Sequence, residues 1–139
     1  MAEIRVLKTY STFSVSGRAT IQYAVGADET GEIYFAIRGS NGGFYDARWI
    51  AWSAVNELLD TLPEEFTTIP FAKLFTGRSA NNCGYMGAIL VSEKVIVRNK
   101  GRQRKYQVGD PKIFLAKAAR LQSSRRSTSK TSTRRTKSR

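Results

Sequence analysis

An α+β fold is predicted for this 139-residue chain: an N-terminal antiparallel β-hairpin region, then helices and a second hairpin, then a disordered basic tail. Three observations predict it. Ile21, Tyr23 and Val25 alternate with small or polar side chains, the period of a half-buried strand, and a β-rich run follows at 32–38. From Asp46 the apolar spacing changes to three and four, the period of a helix. After Leu121 hydrophobic residues stop altogether. The boundaries follow as a β-rich extension over 1–45, a folded unit over 46–121 and a tail over 122–139.

In the extension, Ile21, Tyr23 and Val25 alternate and Gly26 to Gly31 supplies turn chemistry. The run EIYFAIR at 32–38 returns as the partner strand. An earlier strand is expected around Ile4 to Tyr10 or Phe13 to Val15, and Gly39 to Gly43 makes another turn. Trp49, Trp52, Val55, Leu59 and Leu62 then share one face of a helix that Pro63 ends, with Asn56, Glu57 and Asp60 toward water.

Thr67 or Thr68 caps the next helix, which carries Pro70 in its first turn and buries Phe71, Leu74 and Phe75. Ser79 caps a following helix to about Ser92, with Cys83, Met86, Ile89 and Leu90 inward and Asn81, Asn82 and Tyr85 outward. Gly84 and Gly87 each cost about 1 kcal/mol in a helix interior, which close packing of a neighbour would justify. Val95 to Val97 and Lys105 to Val108 read as a hairpin, and residues 113–121 as a short closing helix. The tail, QSSRRSTSKTSTRRTKSR, holds seven basic residues and no acid, a composition that cannot bury a core.

Charge narrows the function. The formal net charge is +12, but residues 1–65 hold five basic and nine acidic residues while 66–139 hold 18 basic and two acidic. A segregated positive half implies a polyanionic partner, DNA, RNA or an anionic surface. Membrane binding is the weakest of these, because no apolar run approaches the roughly 18–20 residues of a span and the tail has no large apolar residue to insert. The stretch MAEIRVLKTY lacks the apolar segment of a secretory signal. With a lone cysteine, Cys83, a cytoplasmic or nucleoid-associated setting is expected, nuclear in a eukaryote.

The chain has no histidine, which removes Ser-His-Asp and Cys-His nucleophile systems and Cys/His zinc sites. The glycine-rich GSNGG at 39–43 lacks the Lys-Ser/Thr that completes a phosphate loop. No enzyme activity, metal or cofactor is therefore expected.

The order helix 47–62, helix 69–75, helix 79–92 and basic hairpin 95–108 resembles the winged helix-turn-helix superfamily of DNA-binding domains. What the resemblance implies is a small transcriptional regulator that binds duplex DNA, its third helix in the major groove and its hairpin acting as a wing. On that alignment Arg78, Ser79, Asn81, Asn82 and Tyr85 would reach base edges, and Arg98, Lys100, Arg102, Arg104 and Lys105 would meet phosphate or the minor groove. Arg125 and Arg126 in the tail would add affinity without sequence preference. The acidic-to-neutral extension, 1–45, is expected to serve homodimerisation or a protein partner. The alternative is a non-specific single-stranded DNA- or RNA-binding structural protein that stacks bases on Tyr23, Tyr34, Phe35 and Tyr45.

Overall fold

A computed structural model describes residues 3–14, 17–42, 44–76, 81–101 and 104–130, with only the backbone for 124–130. Its N-terminal part is one antiparallel meander. Strands β1 (Arg5–Phe13), β2 (Thr20–Ala27), β3 (Ile33–Ser40) and β4 (Ile50–Ala51) lie in the order β1-β2-β3-β4. The extension is thus a four-stranded sheet that reaches past residue 45 to recruit β4. Period-two alternation puts Ile21, Tyr23, Val25, Ile33, Phe35 and Ile37 on one buried face.

Asp28 organises the turn between β2 and β3. Its Oδ1 accepts from the Thr30 amide (3.0 Å), the Thr30 hydroxyl (2.7 Å) and the Glu32 amide (3.1 Å), and its Oδ2 accepts from the Tyr34 hydroxyl (2.9 Å). These donors, the Thr30 hydroxyl foremost, hold the carboxyl below its ordinary range.

The first helix differs from its expected span. Residues 46–49 are irregular, Ile50 and Ala51 pair with Phe35 and Tyr34 as β4, and helix α1 covers only Trp52–Leu59. Trp49 consequently leaves the helical stripe and crosses to the opposite face of the sheet. Its ring meets Tyr34 edge-on at 6.4 Å, lies 4.6 Å from the Arg38 guanidinium and presses on Gly26, where a Cβ would stand 2.9 Å from Trp49 Cη2. Backbone pairing with β3 has overridden the three-and-four spacing here. Trp52, Val55 and Leu59 do face the core, and Asn56, Glu57 and Asp60 are exposed.

A 3-10 helix, Ile69–Leu74, follows, with Phe71 buried, and then helix α2, Asn81–Ser92. Helix α2 is the centre of the molecule. Its sequence is apolar on nearly every side, and Tyr85 through Leu90 are all buried. Gly87 lets the 3-10 segment approach, since a Cβ there would collide with Thr68 Cγ2, whereas beside Gly84 there is open space.

At its C-terminal end the Lys94 amide donates to Val91 O (3.0 Å) and the Val95 amide to Leu90 O (2.9 Å). This is a Schellman closure with Lys94, at φ 66°, in the left-handed position that glycine usually takes. Strands β5 (Ile96–Arg98) and β6 (Tyr106–Val108) form the second hairpin, which Tyr106 sews to Phe66 by two backbone bonds of 2.8 and 2.9 Å.

Helix α3, Pro111–Lys130, begins on Asp110, whose Oδ1 accepts from the Lys112 amide (3.2 Å). It is longer than the short closing helix expected over 113–121, and its backbone runs on into the basic segment. Phe114, Ala118 and Leu121, spaced by four and three, dock it on the sheet; the Phe114 ring stacks on Phe35 at 4.7 Å and leans on Trp52 at 5.7 Å.

Candidate nucleic-acid interface

Of the base-reading positions that are described, Asn82 and Tyr85 are buried. Arg78 and Ser79 lie outside the described residues. Asn82 is 1% exposed and its Oδ1 accepts from the Asp46 amide (2.8 Å); Tyr85 is buried and its hydroxyl accepts from Ser40 Oγ (2.9 Å). Asn81 is half-buried, with Nδ2 donating to Phe44 O (3.0 Å).

The outward placement of Asn82 and Tyr85 is thus corrected. The end of β3 at Ser40 and the stretch around Asp46 meet the N-terminal end of α2, where Tyr85 and Asn82 hold them. Asp46 completes the clasp by accepting from the Arg48 amide (3.1 Å) and the Thr76 amide (3.2 Å). Among the described residues, the face of α2 that carries Asn82 and Tyr85 is therefore not open to a groove.

The aromatic platform fares no better. Tyr23 and Phe35 are in the core, while the half-buried Tyr34 gives its hydroxyl to Asp28 and its ring to Trp49. Tyr45 is half-buried beside the core.

The hairpin is different. Arg98, Lys100 and Arg104 are exposed and Lys105 is half-buried; Arg102 lies outside the described residues. Arg104 takes a left-handed backbone, φ 62°, beside the tip. The base of the hairpin is braced by Asn99, whose amide donates to Lys105 O (2.9 Å) and whose Nδ2 donates to Glu65 Oε2 (2.7 Å). A rigid stem therefore carries a cationic end.

Cations absent from the sequence-derived set adjoin it. Lys94 and Lys112 are exposed and close together, because the Asp110 amide donates to Lys94 O (2.9 Å). Arg120 is exposed further along α3. The signal for Lys112 and Arg120 was the Phe114, Ala118 and Leu121 stripe, which leaves both residues outward.

Each acid of the basic half has a partner in the fold, Glu93 in the interior and Asp110 at the surface. Asp110 caps α3. Glu93, 3% exposed, accepts from the Tyr23 hydroxyl at 2.5 Å through Oε2 and pairs with Lys117 Nζ at 2.5 Å through Oε1. Arg125 and Arg126 belong to the backbone of α3, and their side chains lie outside the described residues.

Among the described residues no cluster of His, Cys, Asp and Glu could hold a metal, and no helix is long and apolar enough to cross a membrane. Comparison of the chain with protein-family models, with curated proteins and with solved structures finds no match in any of the three.

Proposed function

We propose that this protein binds duplex nucleic acid, DNA in the first instance, by gripping phosphates with the β5–β6 hairpin and the basic C-terminal segment. One observation carries the reading: Arg98, Lys100 and Arg104 stand exposed on a braced hairpin, in a half of the chain that holds 18 basic residues and two acids. Cations so gathered raise a positive potential that draws in a polyanion. Because α2 is enclosed, affinity rests on phosphate contacts, and any sequence preference comes through DNA shape or the hairpin tip. A regulatory or DNA-organising role suits such a protein. Base stacking on the N-terminal sheet has little support, since two of its four aromatics are core residues.

The test is fluorescence anisotropy of the full chain against duplex DNA, single-stranded DNA and duplex RNA over a salt series. Duplex DNA should be preferred, and each phosphate contact should add about 0.9 to the salt slope. Replacing Arg98, Lys100 and Arg104 together by alanine should flatten the slope and weaken all duplex sequences alike. An unchanged slope, or a preference for single strands, would sink the proposal.

A further inference from the structure

The two edges of the main sheet are treated differently. On the β3 side, β4 pairs with Tyr34 and Phe35, and beyond it the Arg38 guanidinium donates to Ala47 O, so the 44–49 segment covers that edge. On the other side, β1 is the last strand, and among the described residues nothing pairs with its outer edge. The outward backbone groups of this nine-residue strand, on alternate residues, invite another strand.

Part of β1 is shaped against careless pairing. Val6 pairs with Gly26 and Lys8 with Val25, so Leu7 is the extra residue of a bulge, turned into the core at 4% exposure. From Lys8 to Phe13 the register with β2 is regular, leaving six residues of straight edge. Tyr10 faces the core side, stacked on Tyr23 at 5.4 Å, and Thr9 and Ser11 point the other way, into solvent.

The charge pattern selects the occupant. Both cations of the strand, Arg5 and Lys8, lie in its first half, and the second half, TYSTF at 9–13, is uncharged. In an antiparallel pair of two β1 strands centred anywhere from Thr9 to Ser11, Lys8 meets Tyr10, Thr12 or Ser14 of the other copy and never a cation. A parallel pair would set Lys8 against Lys8, which costs energy. Antiparallel pairing also brings Val6 of one copy close to Phe13 of the other, two of the chain's exposed large apolar residues, at 41% and 69%.

We infer that β1 is a self-association edge, through which two copies of this chain join antiparallel into one continuous eight-stranded sheet. The two-fold axis then stands normal to the sheet, so both core faces lie on the same side. Helix α3 lies over β1 on that face, with Lys117 Nζ 4.2 Å above the Tyr10 ring. Pairing therefore flanks the seam with two α3 helices and sends two basic C-terminal segments out from one side. The inference does not depend on what those segments bind; if they bind a polyanion, the dimer doubles the valency.

The experiment is sedimentation equilibrium of the full chain, nuclease-treated and in high salt, across a concentration series. A concentration-dependent doubling of the 15.5 kDa mass is expected. Thr9→Lys with Ser11→Lys places like charges across the seam in each of the three registers, on side chains that are exposed, and should leave a folded monomer by circular dichroism. Thr9→Glu with Ser11→Glu should do the same, and mixing the two variants in equal amounts should restore the doubled mass. A wild-type chain that stays monomeric throughout the series, or charge variants that dimerise like wild type, would overturn the inference.

Discussion

Tyr23→Phe isolates the buried polar link that holds β2, α2 and α3 together. The hydroxyl sits on a ring 1% exposed and donates to Glu93 Oε2 at 2.5 Å, with Ser92 Oγ 3.2 Å away. A hydrogen bond to a charged acceptor contributes about 1.5–3 kcal/mol, and removing the donor leaves a buried carboxylate oxygen poorly matched. Lys117 remains on Oε1, and since Lys117 itself is 31% exposed it keeps the carboxylate neutralised without being trapped. The expected loss is about 2 kcal/mol at neutral pH, read by urea unfolding at constant m-value.

The pH dependence follows from the same contacts. Burial first, then the Glu93 hydrogen bond, raises the Tyr23 ionisation above its ordinary value of about 10. A folded pKa above the unfolded one means that the stabilisation is complete below about pH 10 and is lost as pH rises past it. The gap between wild type and Tyr23→Phe should therefore shrink by about 1.4 kcal/mol per pH unit above that point. A substitution neutral to within about 0.5 kcal/mol, the usual range of a surface change, would refute the role given to this link, as would a gap that ignores alkaline pH.

Three other changes follow from particular contacts. Lys94→Gly relieves a left-handed residue in the closure of α2 and should stabilise by about 1 kcal/mol, seen as a melting temperature a few degrees higher in calorimetry. Gly87→Ala should destabilise by about 1–3 kcal/mol in chemical unfolding because its Cβ strikes Thr68, whereas Gly84→Ala, with open space beside it, should gain up to about 1 kcal/mol. Asp28→Asn removes a carboxyl whose ionisation is lowered in the folded state. Wild-type stability from this group is present above about pH 4 and lost as pH falls through the depressed value, so acid unfolding curves of the variant should be flatter there.

Much of the β structure was legible because its signal is local. Ile21, Tyr23 and Val25 against Ile33, Phe35 and Ile37 announce a pair of strands with one buried face, and turn chemistry between them fixes the connection. The second hairpin was legible for the same reason, and so was a closing helix over 113–121, though α3 runs on to Lys130. The count of strands was not legible, because β4 is two residues long and exists only where β3 meets it.

The sequence by itself determined the α+β class, the core faces of β2 and β3, the basic hairpin and the separation of charge between the two halves, since each is a matter of spacing or composition along the chain. Only the tertiary structure decided which face of α2 is free, and the answer is almost none. A helix apolar on nearly every side carries no vector to say where solvent lies, so Asn82 and Tyr85 were assigned by position in a motif rather than by contact. The partners that fix them, Ser40 for Tyr85 and Asp46 for Asn82, lie about 40 positions away in the chain, and polar atoms enclosed there gain by bonding because leaving them unpaired out of water costs more, a cost that Asn82 Nδ2 still bears. Glu93 shows the same physics: an acid in a basic half looks like a surface charge until Tyr23 and Lys117 close over it.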